Sequence, residues 1–380
     1  MKKVMIVFGT RPEAIKMAPL CESFRNQIGI ETLVCVTAQH REMLDQVLDI
    51  FEIIPDVDLN IMHKGQNLSD VTTSILTKMH DTLKEIMPDI VLVHGDTTTT
   101  FATSLACFYL SVKVAHVEAG LRTHDLYAPF PEEYNRRSTG IIAKYHFAPT
   151  ELSQKNLYNE GVCKENILVT GNTVIDALHL MLDKINTNKN RKNDIIHLLS
   201  NKLSFDWKSE RFVLITGHRR ENFGKGFLNI CEAIKEVAIK NPEVYFVYPV
   251  HLNPNVKNTV TEILSNIKNI FLIDPLHYQD FVYLLKKSYL VLTDSGGIQE
   301  EAPSLGKPVL VMRDVTERPE AIKAGTVKLV GASKDKIISS IDLLLNDREL
   351  YSKMSQAHNP YGDGRACDRI VEYIKEKLHD

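Results

Sequence analysis

Short apolar runs alternate with longer stretches in which apolar positions recur every three or four residues, and this alternation carries almost to the end of the chain. Val4–Phe8, Thr32–Val36, Ile90–Val93 and Val112–Val117 read as buried strands. A second series follows at Phe212–Ile215, Val244–Val247, Ile270–Ile273, Tyr289–Leu292, Pro308–Met312 and Val327–Val330. Helical patterns separate them. One opens at Pro12 and runs through Phe24, since proline suits a first turn. Another carries Met43, Leu44, Val47 and Leu48 on one face. A longer one, capped by Ser69 or Asp70, sets Val71, Ile75, Leu76, Met79, Leu83 and Ile86 at helical spacing until Pro88 ends it. βα units this short predict α/β architecture with parallel, doubly wound sheets, and two series predict two Rossmann-like domains. The boundary is expected near 172–180, giving domains 1–172 and 173–360. Within the second, Asn186 to Asn193 reads as a solvated loop. Tyr361-Gly-Asp-Gly-Arg365 breaks one helix and starts another over 361–380, which is expected to return to the first domain.

Composition agrees with this organisation and removes several functions. At 380 residues the chain is long for a single core. A 44% hydrophobic and 24% charged composition is that of a globular protein, and a net charge of −3 with dispersed basic residues argues against nucleic-acid or membrane-surface partners. The six cysteines are scattered without disulfide or metal spacing, which fits reduced thiols in a cytoplasmic protein. Val4–Phe8 is too short for a signal-peptide core, and no run approaches a membrane span.

The stretch richest in chemistry is Thr293-Asp-Ser-Gly-Gly-Ile-Gln-Glu-Glu-Ala-Pro303, a strand end, a Gly-Gly turn and a helix start. Ser295, Gly296 and Gly297 there offer backbone donors and the positive end of a helix to a phosphate or diphosphate; an ordinary tight turn is the plainer reading. After the next strand comes a loop with Arg313 and Arg318. Arg11 and Lys16 follow the first strand of the first series, and His218, Arg219 and Arg220 follow the first strand of the second, after Gly217; surface ion pairs would account for any one of them. Three carboxylates stand where strands hand over to loops or helices. Asp96 could equally cap the helix that follows, Glu118 needs a partner such as Arg122, and Glu132 would suit a helix's first turn on dipole grounds alone. Together they resemble acid–base equipment. His94, His116 and His146 read as core histidines. No Walker lysine, dinucleotide fingerprint or metal-ligand spacing is present.

Phe8-Gly-Thr-Arg-Pro-Glu-Ala-Ile-Lys-Met-Ala-Pro19, His94-Gly-Asp-Thr-Thr-Thr-Thr100, His116-Val-Glu-Ala-Gly-Leu-Arg-Thr123, Pro131-Glu-Glu133, Gly217-His-Arg-Arg-Glu-Asn222 and Asp294–Pro303 closely resemble, in order, the motifs of non-hydrolysing UDP-N-acetylglucosamine 2-epimerases. The resemblance runs down to Asn359-Pro-Tyr-Gly-Asp-Gly364. It implies a GT-B architecture with the active site in the interdomain cleft, usually as a homodimer. It also implies cofactor-free interconversion of UDP-N-acetylglucosamine and UDP-N-acetylmannosamine through UDP and 2-acetamidoglucal, in a bacterial pathway supplying N-acetylmannosamine for surface polysaccharide. A GT-B glycosyltransferase using a UDP-sugar donor shares the fold, and a nucleotide-sugar sensor is a further rival.

Position by position, the resemblance assigns substrate contacts to Arg11, Lys16, Asp96, Glu118, His218, Ser295, Gly296, Gly297, Glu301 and Arg318. Asp96, Glu118 and Glu132 become the acid–base groups, with His218 on the diphosphate side. Phe281 matches a uracil-side contact, and Leu276 stands where some members have glutamine, so contact there passes through backbone. A regulatory UDP-N-acetylglucosamine site is implied at Gln39, His40, Arg41, Glu132, Arg219 or Arg220, and His251. Glu42 and Gly65 depart from regulated members, which carry glutamine and arginine.

Overall fold

The computed structural model describes residues 1–39, 41–219, 222–316 and 318–379. His40, Arg220, Glu221 and Glu317 therefore lie outside the described residues. The chain divides into two compact units, Met1–Leu180 with Tyr361–Asp380, and Met181–Pro360.

The first unit is a seven-stranded parallel sheet in the order β3-β2-β1-β4-β5-β6-β7. Its strands are β1 (Lys2–Phe8), β2 (Ile30–Val36), β3 (Val57–Asp58), β4 (Ile90–His94), β5 (Lys113–Val117), β6 (Tyr145–Ala148) and β7 (Ile167–Val169). The central strands are covered on both faces, so they read as continuous apolar runs; Met5 and Val7 share one core with Val91, Val93, Ile75, Met79 and Leu83. The helix Leu68–Ile86 is capped by Asn67, with Asp70 reaching back to the Asn67 N–H, rather than by Ser69 or Asp70. The C-terminal helix Ala366–His379 belongs to this unit. Asp176 accepts the Ala366 and Cys367 N–H groups at 3.2 and 2.8 Å, and Tyr373 sets its edge against Tyr145 and Phe147.

The second unit is a six-stranded parallel sheet in the order β10-β9-β8-β11-β12-β13. Its strands are β8 (Phe212–Thr216), β9 (Tyr245–Pro249), β10 (Ile270–Ile273), β11 (Leu290–Thr293), β12 (Val309–Val311) and β13 (Val327–Leu329). The polar run Asn186 to Asn193 is not a loop. It joins two helices, Thr173–Thr187 and Lys189–Lys202, through Asn188, whose side chain accepts the Arg191 N–H at 3.1 Å. Ile195 and Leu199 bury the far side of the second helix, an anchor that lies outside the polar run itself.

In each sheet the strand order reverses beside the first strand of the series, between β1 and β4 and between β8 and β11. Loops at the carboxyl ends diverge at such a switch point and leave a crevice. The loops there are Gly9–Arg11 with Gly95–Thr97 in the first unit, and Gly217–Arg219 with Asp294–Gly296 in the second. Among the described residues no helix is long and apolar enough to cross a membrane.

Candidate active site

At the switch point of the first sheet, Glu118 is the hub. It follows β5 with φ +61°, a left-handed backbone that is rare for a non-glycine residue and that turns its side chain off the strand path. Lys16 Nζ, one helical turn into Arg11–Arg25, forms an ion pair with Glu118 Oε2. Asn172 Nδ2 donates to the same oxygen at 2.7 Å, and His94 Nε2, buried and without a hydrogen-bond partner, lies 3.9 Å away. Arg122 is not the partner: it makes a two-pronged pair with Glu160 at 2.7 and 2.8 Å.

Asp96 does not cap the following helix either, because Thr97 does so by accepting the Thr100 N–H at 3.1 Å. The Asp96 carboxylate instead pairs with Arg136, whose Nη1 also reaches Glu133 at 3.3 Å. Burial pushes Asp96 above the usual carboxylate value and the charge of Glu118 adds to it, while Arg136 and Lys16 pull the other way. With 27% of its side chain open to solvent, that rise is moderated. Glu132 opens the helix Glu132–Ile142, and its Oε2 is buried with no hydrogen-bond partner, an unusual state for a carboxylate oxygen in a protein alone. The three core histidines behave as such. Burial lowers His94 to about 4, His116 to about 3 and His146 to about 4, and His116 donates to the Gly95 carbonyl at 2.7 Å.

Glu13 organises this face although only its loop stood out in the sequence. Its buried carboxylate accepts the Gly9 and Thr10 N–H groups at 3.0 and 2.8 Å and the Thr97 hydroxyl at 2.6 Å, tying the Arg11 loop to the Asp96 loop. The Thr10-x-x-Glu13 capping box was the available signal.

In the second unit the helix Gly296–Ser304 begins at the end of β11, with Ser295 as N-cap and no cap bond from its hydroxyl. A Cβ on Gly296 would lie 2.7 Å from Arg318 Nη1, so glycine here makes room for a guanidinium laid across the helix start. On Gly297 a Cβ would meet only Glu301 Oε2, at an ordinary 3.8 Å. Arg318 is steadied by Glu300, Nε to Oε1 at 2.6 Å, and Glu301 accepts the Tyr278 hydroxyl at 2.9 Å. Asp294, missed as a site residue, accepts the N–H groups of His218 and Arg219, both at 2.8 Å. His218 lies flat on His251, ring centres 4.8 Å apart and planes within 10°. Its basicity is lowered by desolvation first, then by His251 and Arg219, against the raising effect of Asp294. Leu276 and Phe281 flank the start of the helix Tyr278–Lys287 and are half-buried.

The residues proposed for regulation fall on both units. Gln39 accepts from Thr99 at 3.2 Å and Arg41 is paired with Asp45 and Asp58, whereas Arg219 and His251 belong with His218. Among the described residues no cluster of histidine, cysteine and carboxylate side chains is placed to hold a metal ion.

Comparison with known proteins shows the family. The family described as UDP-N-acetylglucosamine 2-epimerase matches residues 22–375. The UDP-N-acetylglucosamine 2-epimerase of Campylobacter jejuni is 57% identical over 98% of this chain and 97% of its own, and that of Escherichia coli (strain K12) 56% identical over 98% of each. The crystal structure of the Neisseria meningitidis UDP-GlcNAc 2-epimerase bound to UDP-GlcNAc is 53% identical, covering 98% of this chain and all of that one, with a TM-score of 0.89. With two Rossmann-like parallel sheets and family motifs over nearly its whole length, this chain belongs to the UDP-N-acetylglucosamine 2-epimerase family.

Proposed function

We propose that the chain interconverts UDP-N-acetylglucosamine and UDP-N-acetylmannosamine, with the first unit supplying the proton-transfer groups and the second the groups that hold UDP. The observation that carries this reading is the opposed setting of two neighbouring carboxylates. Glu118 receives an ammonium and an amide donor, surroundings complementary to a carboxylate anion, whereas Asp96 pairs with the cation Arg136 and burial raises its pKa against that pair.

In the proposed reaction Glu118 takes the C2 proton as the C1–O bond breaks. The C–H electron pair becomes the C1=C2 bond of 2-acetamidoglucal, and the C–O pair leaves with UDP. Asp96 then delivers a proton to the opposite face of C2 while a β-phosphate oxygen rebonds to C1, and exchange with solvent resets both carboxyl groups. Glu132, with its unpartnered buried oxygen, assists proton transfer or binds a sugar hydroxyl. His218, Arg318 and the first-turn N–H groups after Ser295 offset the charge of departing UDP, with Arg11 and Lys16 as further cations and Phe281, Leu276 and Glu301 toward the nucleoside. No step needs a metal or a dinucleotide. The activity is supported by the bacterial relatives named UDP-N-acetylglucosamine 2-epimerase at 54–58% identity; action in the bacterial cytoplasm, as a homodimer, in supplying N-acetylmannosamine for surface polysaccharide is proposed from the family resemblance.

Incubation with UDP-N-acetylglucosamine alone, followed by NMR, tests this. Appearance of UDP-N-acetylmannosamine supports it. Slow hydrolysis alone would favour a glycosyltransferase lacking its acceptor, and no change a sensor.

A further inference from the structure

The amide of Asn172 and the turn that carries it do more than close one strand and open a helix. Asn172 is buried, and all three of its polar atoms or groups at issue are committed. Its Oδ1 accepts the Val174 N–H at 3.0 Å, capping the helix Thr173–Thr187. That fixes the amide orientation and aims Nδ2 at Glu118 Oε2, 2.7 Å away. Its backbone N–H donates to the Tyr361 carbonyl at 2.7 Å. This last bond depends on two glycines in contact. Gly171 (φ +86°) and Gly362 (φ +120°) both adopt backbone conformations that glycine tolerates best, and a Cβ on either would stand 3.1–3.2 Å from the other's Cα. Arg369, gripped by both oxygens of Asp363 at 2.8 and 2.7 Å, adds a second fastening by donating to the Thr170 carbonyl at 2.9 Å. The C-terminal segment thus holds residues 170–172 at two points, and those residues hold Glu118.

We infer that Asn172 is a positioning residue for the epimerisation: it fixes the Glu118 carboxylate beneath C2, and the Tyr361–Gly362 turn fixes Asn172 in turn. The inference rests on the proposed role of Glu118. The physical argument is directional. Lys16 is a flexible cation whose ammonium can swivel about its stem, so an ion pair alone leaves the carboxylate plane loosely set, whereas an amide locked at its other end supplies a donor along one line. His94, neutral at physiological pH, and Asp96 are titratable groups that also bear on Glu118. Asn172 is a neutral donor to the Glu118 carboxylate, and removing it should weaken the ionised form of Glu118.

Asn172→Ser is the informative variant, because a serine still caps the helix at Thr173 but cannot reach Glu118. Asn172→Asp keeps both shape and cap and replaces the donor by a second carboxylate. For Asn172→Ser we expect kcat to fall about tenfold, as for loss of a hydrogen bond to a charged group, with KM for UDP-N-acetylglucosamine little changed, the acidic limb of the kcat profile moved up by about one pH unit, and the melting temperature near that of the parent. Asn172→Asp should move the limb further, and Gly362→Val, which pushes Tyr361 away, should reproduce part of the shift. An unshifted profile overturns the inference, whether kcat is retained or falls together with the melting temperature. Carboxyl-carbon NMR of Glu118, assigned through Glu118→Gln, separates this from the wider reading without using turnover. If the Glu118 titration moves up in Asn172→Ser yet Glu118→Gln remains fully active, the contact is real but the positioning role falls with the proposed role of Glu118.

Discussion

Asp294 and His218 meet twice: Asp294 Oδ2 accepts the His218 backbone N–H at 2.8 Å, and Oδ1, buried and without a hydrogen-bond partner, stands 3.9 Å from His218 Nδ1. One carboxylate therefore shapes the loop after β8 and also bears on the charge of the ring. Seventy-six residues separate the two, but β8 and β11 are neighbours, with Thr216 opposite Thr293. Protonated His218 attracts a diphosphate, so UDP affinity should rise as pH falls toward the depressed pKa of the free enzyme. Asp294→Asn keeps an acceptor for the backbone but removes the charge that raises His218, so the rise should move to lower pH. His218→Gln should flatten it. Asp294→Ala should also cost about 1–3 kcal/mol of stability through the abandoned N–H donors. Calorimetric titration with UDP between pH 5 and 8, beside thermal melting, checks all three variants.

The start of the helix Gly296–Ser304 gives a second prediction. Because Arg318 lies where a Cβ on Gly296 would be, Gly296→Ala must displace the guanidinium and disturb its pair with Glu300. UDP binding should weaken by at least about tenfold, more than one neutral hydrogen bond explains. Gly297→Ala, which meets only an ordinary contact within the protein, should be milder unless bound diphosphate itself comes close. Equal affinities for UDP in the parent and Gly296→Ala, with the fold intact by circular dichroism, would remove Arg318 and this helix start from the diphosphate site.

Acid stability follows from the buried histidines. In the unfolded chain each takes its proton near the ordinary pKa of 6.5, whereas in the fold His94 and His146 resist until about 4 and His116 until about 3. Between those values the unfolded state binds more protons, so stability is complete above about pH 6.5 and declines as pH falls, by about 1.4 kcal/mol per pH unit for each group. Urea unfolding at pH 7.5, 6 and 5 should show this slope, and His116→Gln, whose amide nitrogen takes the place of the Nε2 that donates to the Gly95 carbonyl, should reduce it. A midpoint independent of pH in that range would contradict the neutral burial of these rings.

Regulation by a second UDP-N-acetylglucosamine is a separate proposal. Since His251 stacks on His218, occupancy near His251 would act directly on the ring proposed to face UDP, within the usual coupling of about 1–3 kcal/mol. Starting from UDP-N-acetylmannosamine, the reaction should then lag until a trace of UDP-N-acetylglucosamine is added, and Gln39→Ala or Arg41→Ala should abolish the relief. Full initial rate without the trace would mean that Glu42 and Gly65 mark a loss of this control.

The central strands were legible because parallel strands covered on both faces are written as unbroken apolar runs, and Val4–Phe8 and Phe212–Ile215 lie inside β1 and β8. β3, of two residues, is too short to carry a periodic signal, and β6 and β7 were not singled out. The misread loop at 186–193 shows a second limit: the residues that anchor its second helix, Ile195 and Leu199, follow the polar stretch rather than punctuating it. Motifs singled out the candidate residues but not their pairings. Glu118 with Lys16, Asp96 with Arg136 and Asp294 with His218 are long-range contacts set by strand order, and nothing in the spacing of Glu118 and Arg122 warned that Arg122 would turn to Glu160. Asn172 was within sight only as part of Gly-Asn-Thr, a turn signal, since its amide acquires meaning once β5 and β7 are placed in one sheet.

The chemistry itself is tested at C2. A proton beside an acetamido-bearing carbon is weakly acidic, and taking it as a bare carbanion would be prohibitive without an electron sink. In the proposed mechanism departure of UDP from C1 removes that difficulty, since the electron pair becomes a C=C bond while cations proposed in the second unit hold the leaving charge. Two different groups serving the two faces of C2 require that the incoming proton come from a solvent-exchanged acid, so product formed in D₂O should carry deuterium at C2. Glu118→Gln and Asp96→Asn should each lower turnover by about 100-fold or more, the scale of losing a general base or acid, and Glu132→Gln should do likewise if its buried oxygen moves a proton. The two main losses should differ in kind. Without the base at Glu118 no elimination begins and substrate persists, whereas without the acid at Asp96 elimination can proceed and stall, releasing UDP and 2-acetamidoglucal. Product that keeps its original C2 hydrogen would exclude deprotonation at that carbon, and glycal release from Glu118→Gln rather than Asp96→Asn would exchange the two assignments.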